Sequence, residues 1–356
     1  MNRLHLGIIG CGAATEILHL SAASLVPEVN ITYVADLSAA RAQELAEAFG
    51  ITNWSTDWRE MIGNVDAVLV ATPPHTHAGL SMEAMQAGMD VLCEKPLATS
   101  MSDVNRMIAV AKETGRHLSV GHARRWFWNT RLVKKYLDEG FFGDVVEVHI
   151  EEGGRYSWPA HTSSIFDRET AVGVLLANGV HDIDLLSWWF GENIAVKSYE
   201  DDSWNGPEAN CRAEFGLPYR GGLANSVVEF STTRLLKNRI LIRATKLTVE
   251  IDPIYDGDAM VISAGVETAL FGEEKIVISR KGSGDNSSML RAHAEQLRRF
   301  AVSCKTGETE DVSANEAVRS LNLIEKCYSQ RRLLKHPWIN YSGRRLGVRE
   351  YENMEV

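Results

Sequence analysis

A lysine stands between an acid and a proline at Glu94-Lys95-Pro96, directly after the apolar run Asp90-Val91-Leu92-Cys93. Proline disfavours helical backbone in the residue before it, so Lys95 projects from an extended or turn segment at a strand end. Open α/β sheets bind ligands beyond the carboxyl ends of their strands, which is where such a lysine sits. An ammonium there can orient a hydroxyl, and can share its proton once burial lowers its pKa. A second set of residues lies near the start of the chain, where the apolar run Leu4 to Ile9 breaks into Gly10-Cys11-Gly12-Ala13-Ala14-Thr15 and then a helical pattern. A tight turn at Gly10 lets backbone amides face a pyrophosphate, and the following helix directs the positive end of its dipole at the same phosphates. Asp36 comes 21 residues after Thr15, at the tip of a second strand-like run, Ile31 to Ala35. Its carboxylate can accept both hydroxyl hydrogens of an adenine ribose. Thr15 fills the slot where the strict fingerprint has a third glycine; position and context still make this a dinucleotide turn. Asp36 would repel a 2′-phosphate, so NAD is expected over NADP, with Arg41 partly offsetting the preference. His75-Thr76-His77 has no third ligand at useful spacing, and no metal is expected.

The elements that position these residues alternate. Ala39 to Phe49 reads as a helix stopped by Gly50, Val65 to Ala71 as a buried strand, Thr76 to Ala87 as a helix stopped by Gly88. Asp90 to Cys93 is a strand, Ser100 to Thr114 a helix closed by Gly115, and His117 to Gly121 a sixth strand. Such alternation predicts a doubly wound parallel sheet, a Rossmann domain over residues 1–122. From residue 123 the pattern changes. Helices are expected over Thr130 to Glu139 and, apolar throughout, over Ala171 to Phe190, with a strand from Val145 to Glu151 between them and a polar, aromatic loop from Gly153 to Thr170. Strand-like runs at Gly221 to Phe230, Arg239 to Ala244 and Lys275 to Ser279, with a turn at Leu217-Pro218, predict an open, mostly antiparallel sheet. Amphipathic helices near Met289 to Ser303 and Ser313 to Arg331 follow, so residues 123–336 form a second, α+β domain and 337–356 a tail. The fold class is α/β.

The chain has 356 residues, 45% of them hydrophobic and 24% charged, as expected of a soluble two-domain protein. A net charge of −10 disfavours nucleic acid and anionic membranes as partners. No apolar run is long enough to span a membrane, and the N-terminus enters a strand without a signal-peptide pattern. Five scattered cysteines without a C-x-x-C pair suit reduced thiols in the cytoplasm.

Over roughly residues 3–330 the chain resembles the Gfo/Idh/MocA family (glucose–fructose oxidoreductase, inositol dehydrogenase, rhizopine catabolism). The resemblance rests on Gly7-Ile8-Ile9-Gly10-Cys11-Gly12, on Ala71-Thr72-Pro73-Pro74 with His77, and on Glu94-Lys95-Pro96. It also rests on Gly121 to Arg125 and on Gly173 to Asp184, the segment holding Asn178 and His181. It implies that Lys95 contacts substrate and nicotinamide, that His181 is the acid or base, and that the second domain's sheet mediates homodimers or homotetramers. The family places an aspartate four residues before the histidine. Here that residue is Ala177, and Asn178 beside it can hydrogen-bond a hydroxyl but carries no charge.

The resemblance thus implies an NAD(P)-dependent oxidoreductase acting on a hydroxyl or keto group of a sugar, cyclitol or sugar derivative. The alternatives are an NAD-dependent glycoside hydrolase working by transient oxidation and a non-catalytic dinucleotide-binding regulator. Gly10, Gly12, Ala13, Ala14, Thr15, Asp36, Arg41, Thr72, Pro73, His77, Glu94 and Lys95 are expected around the cofactor. Lys95 and His181 are expected to carry the proton chemistry. Asn178, Arg125, Tyr156, Trp158 and His161 are expected near the substrate, the two aromatics for their fit to the apolar side of a sugar ring.

Overall fold

The computed structural model describes residues 3–334 apart from 160, 162–166, 168, 204–205, 255–256, 268–274, 281–286 and 309–311. The expected tail, 337–356, lies outside the described residues.

The first half is a six-stranded sheet built from β1 (Leu4–Ile9), β2 (Val29–Ala35), β3 (Asn53–Ser55), β4 (Ala67–Val70), β5 (Asp90–Cys93) and β6 (Leu118–Val120). Its order is β3-β2-β1-β4-β5-β6, with every neighbour parallel. The order reverses between β1 and β4, and that switch point is where an open α/β sheet opens a ligand crevice. Helices cover both faces: α1 over residues 13–23, α2 (Ala39–Phe49), α3 (Pro74–Gln86) and α4 (Met101–Thr114). Their ends follow local chemistry. Ser38 and Ser100 accept the amide hydrogens of Arg41 and Asp103, and Gly50 and Gly115 close α2 and α4 in the left-handed conformation.

The second half contains α5 (Trp128–Asp138), α6 over residues 174–190, and a sheet of β7 (Val145–Gly153), β8 (Ala195–Asp201), β9 (Asn210–Tyr219), β10 (Gly222–Ser231), β11 (Arg239–Ala244), β12 (Leu247–Ile251), β13 (Ala259–Ala264), β14 (Ile276–Ser279) and β15 (Arg332–Leu333). Its order is β14-β13-β12-β11-β7-β10-β9-β8-β15. Only the β7–β10 and β8–β15 pairs are parallel, so the sheet is mostly antiparallel as expected. Leu217-Pro218 is not a turn. Pro218 lies inside β9, and the chain reverses at Arg220 and Gly221, whose φ values of 47° and 85° make the two-residue turn that suits twisted strands. Pro218 is tolerated because β8 stops pairing at Gly216, leaving no ladder bond for its missing N–H. The apolar helix starts at 174 rather than 171, because Glu208 caps it: its carbonyl takes the Val174 N–H at 2.9 Å and its carboxylate the Leu175 N–H at 3.1 Å.

Two last helices join the halves. α7 (Ser288–Thr306) follows the second sheet in the chain, yet its Ala294, Leu297, Phe300 and Ala301 pack with Leu4, Leu6 and Ile8 of β1. α8 (Ala314–Ser329) places Ala317, Leu321 and Ile324 in a core shared by Val68 and Val91 on one side and Val148 and Phe215 on the other.

Arg125, expected at the substrate, is part of this joint. It is 1% exposed; Nε and Nη2 donate to both oxygens of Asp184 on α6 at 2.7 and 2.8 Å, Nη1 lies 3.4 Å from Glu316 on α8, and the guanidinium covers Trp188. A guanidinium so enclosed braces the fold and is not open to a substrate. Arg125→Met strips Asp184 of its two-pronged partner in a dry site, leaving only His122 Nε2 at 3.7 Å, so it should cost about 3–5 kcal/mol, whereas Arg125→Met with Asp184→Leu should recover much of that loss. Thermal and denaturant unfolding of both variants checks this; equal losses would show that the pair is not the source.

Candidate active site

Both α1 and α6 carry a π-helical turn, a feature that often marks functional sites because the extra residue re-aims side chains. In α1 it spans Thr15–Leu20, and in α6 Leu175–Gly179. At the head of α1, Gly10 has φ +102° and a Cβ there would come within 2.5 Å of the Ala71 carbonyl, so glycine is required. Thr15 Oγ1 donates back to the Gly10 carbonyl at 2.6 Å, which explains a hydroxyl where a third glycine was expected. Asp36 and Arg41 grip the turn from either side. Asp36 accepts the Cys11 N–H at 2.8 Å and the Ser38 N–H at 2.9 Å, while Arg41 Nε donates to the Cys11 carbonyl at 2.8 Å. The rest of the Arg41 guanidinium pairs with Glu16 and Glu44.

Lys95 leaves the end of β5 and crosses to the second half, where its Nζ donates to the carbonyl of Ala177 in the π turn of α6 at 2.7 Å. That contact puts it one turn from His181, which is half-buried. Burial, opposed by the nearby Glu94 charge, lowers the Lys95 pKa. Burial, with the charges of Lys95 and Arg124 and the neighbouring His122 and His293, holds His181 well below 6.5. The imidazole is therefore neutral at neutral pH and able to accept a proton. Its Nδ1 is buried without a hydrogen-bond partner.

Glu94 fixes the backbone of Lys95. Its Oε2 accepts the Lys95 N–H at 3.0 Å and its Oε1 accepts from His19 Nε2 at 2.8 Å, His19 being delivered by the π turn of α1. A Cβ on Gly121 would lie 2.9 Å from that Oε1, so this glycine makes room for the acid. Burial pushes the Glu94 carboxyl up, but the His19 hydrogen bond and the charges of His19, His293 and Lys95 hold it at about 2. His293 of α7 completes this group; its ring meets His19 edge-on at 5.3 Å and its Nδ1 bonds the Met289 carbonyl at 2.8 Å.

Behind the α6 turn lies a buried charge network. Arg124 Nη1 donates to Glu152 of β7 at 2.7 Å and to Asp182 at 2.9 Å, and Asn178 Nδ2 donates to the other Glu152 oxygen at 3.4 Å. Burial raises Asp182 to about 7, the Arg124 charge opposing and the Glu152 charge adding, so one guanidinium serves two acids.

Several expected residues have other employment. His77 is 1% exposed and its two ring nitrogens face the carbonyls of Pro96 at 2.8 Å and Thr72 at 2.7 Å, so it ties the Thr72-Pro73 segment to the lysine loop rather than facing a ligand. With both nitrogens taken and His75 exposed, that pair does not build a metal site. Tyr156 and Trp158, 45% and 44% exposed, and the exposed His161 stand in the loop after β7. His19, Glu152, Asp182 and His293 were not expected. Glu152 had a readable signal: with Val148 and Ile150 it falls on the period-two buried face of β7, where an acid needs partners. His19 and His293 had none, because the π turn and the packing of α7 bring them in.

The family models described as an oxidoreductase NAD-binding Rossmann fold and an oxidoreductase C-terminal alpha/beta domain match residues 4–122 and 134–335. An inositol 2-dehydrogenase 2 of Saccharopolyspora erythraea is 31% identical over 340 residues, 91% of this chain and 92% of that one. The chain spans only 54–63% of the length of several other curated relatives. A 3-ketoreductase from Actinomadura kijaniata, solved with NADP and TDP-benzene, is 21% identical and aligns over 94% of this chain and all of its own with a TM-score of 0.80. A levoglucosan dehydrogenase solved with NADH is 20% identical over 93% and 98% of the two chains, TM-score 0.79. At that identity the two structures share the fold, and between them they hold both nicotinamide cofactors. The glycine turn, the Glu94-Lys95-Pro96 corner and the two matched halves together make this chain a member of the Gfo/Idh/MocA oxidoreductase family.

Proposed function

We propose that the chain is an NAD(P)-dependent oxidoreductase that moves hydride between the cofactor and a hydroxyl or keto carbon of a sugar, cyclitol or sugar derivative. The observation that carries this is the bond from Lys95, on the first half, to Ala177, one turn before His181 on the second.

The residues around the switch point fit a dinucleotide. A Cβ on Gly12 would meet nothing within 4 Å, so the bare fold does not demand glycine there, whereas a pyrophosphate lying on the turn would. The N–H groups of Ala13 and Ala14 precede the first bond of α1, from Glu16 to Gly12, and remain available to phosphate oxygens. Asp36 keeps acceptor capacity for ribose hydroxyls, and Thr72, Pro73 and Glu94 line the same strand ends. When bound, a nicotinamide supplies the hydride acceptor or donor. The chain supplies the proton path: neutral His181 accepts the hydroxyl proton of an alcohol, and Lys95, with its lowered pKa, orients that oxygen and stabilises negative charge on it. In the reductive direction protonated His181 returns that one proton to the oxygen while Lys95 stabilises the developing alkoxide.

Finer features follow the same reading. Glu16 and Glu44 occupy the Arg41 guanidinium and Asp36 stands at the tip of β2, so the local charge favours ribose hydroxyls over a 2′-phosphate and thus NAD. Val146, Leu223, Ile276 and Val277, all exposed on the second sheet, suit a homodimer or homotetramer. Five free cysteines suit a reducing cytoplasm, and no helix among the described residues is long and apolar enough to cross a membrane.

Lys95→Ala should lower the rate of NADH formation from a responsive polyol by about 10²–10⁴-fold, leaving cofactor affinity unchanged. Because only neutral His181 accepts the proton, kcat/KM for oxidation should fall on the acid side with a midpoint below 6.5, and His181→Gln should remove that limb. A panel of inositols, sugars and nucleotide sugars read at the reduced-nicotinamide band tests both; an active Lys95→Ala enzyme contradicts the role, and turnover of an aryl glycoside without net NADH favours the hydrolase. Titration with each cofactor should show tighter NAD than NADP binding, with the ratio narrowed in Asp36→Ala; equal affinities in the unaltered chain defeat the preference.

A further inference from the structure

The family pattern has a carboxylate at the position of Ala177, and a chain that has lost it has also lost an acceptor for a substrate hydroxyl. The structure holds a carboxylate close by on another element. Glu152 ends the buried face of β7, 7% exposed, with Oε2 fixed by Arg124 at 2.7 Å and Oε1 facing Asn178 Nδ2 at 3.4 Å. Asn178 is half-buried and follows Ala177 in the π turn whose carbonyl receives Lys95. An amide side chain has two faces that are nearly alike in shape and opposite in chemistry. An ionised carboxylate can only accept, so beside Glu152 the NH2 end of Asn178 must turn inward and Oδ1 remains as the acceptor.

We propose that Glu152 is a positioning residue that replaces the missing α6 carboxylate from a different strand, by fixing Asn178 so that its Oδ1 accepts a substrate hydroxyl beside Lys95. This rests on the oxidoreductase reading above. Charge supports it as well as geometry: Glu152 is one of the two acids whose charge sustains the protonated form of Lys95, Glu94 being the other. Arg124, shared with Asp182, keeps Glu152 ionised although it is buried, which lowers its pKa against the cost of desolvation. A neutral acceptor braced by a buried charge can do the orienting work of a carboxylate while placing no charge on the substrate itself.

The test measures kcat and KM for myo-inositol and D-glucose, with NAD saturating, in four variants. Glu152→Gln keeps shape and the bond to Arg124, but its own NH2 faces Asn178 and inverts that amide. It should raise KM and lower kcat/KM about tenfold with NAD affinity unchanged, one hydrogen bond having been replaced by a mismatched donor. Asn178→Ala, at a half-buried site, should lose a similar factor, and Glu152→Gln with Asn178→Ala should be no worse than the larger single effect, because one acts through the other. Ala177→Asp in the Glu152→Gln background should recover most of the loss by returning an acceptor to the helix, which a purely structural role for Glu152 would not allow. Unchanged kcat/KM in Glu152→Gln, multiplying single effects or absence of rescue overturns the assignment of Glu152 alone. Absence of turnover of any sugar, inositol or nucleotide sugar by the unaltered chain overturns the oxidoreductase reading and this assignment with it.

Discussion

One ammonium, held between two halves of the chain, sets the terms for everything around it. Lys95 follows the end of β5 of the first sheet, but its Nζ is hydrogen-bonded to a carbonyl on α6 of the second half. A charge taken that far out of water costs free energy unless neighbours answer it. Glu94 answers from the adjacent residue and Glu152 from β7, while Arg124 opposes, so the ammonium is sustained yet its proton is loosened. Burial, reinforced by the charges of Lys95 and Arg124, leaves His181 neutral. A lysine eased toward deprotonation next to a neutral histidine is the pairing that proton exchange with an alcohol requires near neutral pH.

Holding that geometry is the work of the residues packed around the Lys95 corner. His19 and Gly121 allow Glu94 to sit where it locks the Lys95 amide, and His77 clamps Thr72 to Pro96 on the other side. Arg125, Asp184 and Glu316 join the segment after β6 to α6 and α8, so the two halves meet at a charged seam as well as an apolar one. π turns in α1 and α6 provide the offsets that a regular helix would not: one turns His19 to Glu94, the other frees the Ala177 carbonyl for Lys95. Local irregularity at both helices is thus the counterpart of regularity in the two sheets.

The alternation of strands and helices, the mostly antiparallel second sheet and the pairing of Lys95 with the His181 helix were legible in the sequence, because each rests on local pattern or on a motif. The misreadings share a cause. Pro218 reads as a turn because edge position is a property of the neighbouring strand, and Arg125 as a ligand because its partner Asp184 lies 59 residues away. His77 carried a motif that marks the corner without revealing which atoms its nitrogens meet. His19 and His293 come together only through tertiary packing of α7 on the first sheet, a contact that no spacing in the chain encodes.

If Lys95 and His181 face the same substrate atom, the charge of one must be felt in the titration of the other. Labelling the imidazoles and following the His181 resonances with pH, among the 11 histidines of the chain, reads this directly. The midpoint should lie below 6.5 in the unaltered protein and rise in Lys95→Met, because a cation that disfavours the imidazolium has been removed. A midpoint that stays where it was would mean that the two groups do not share a site.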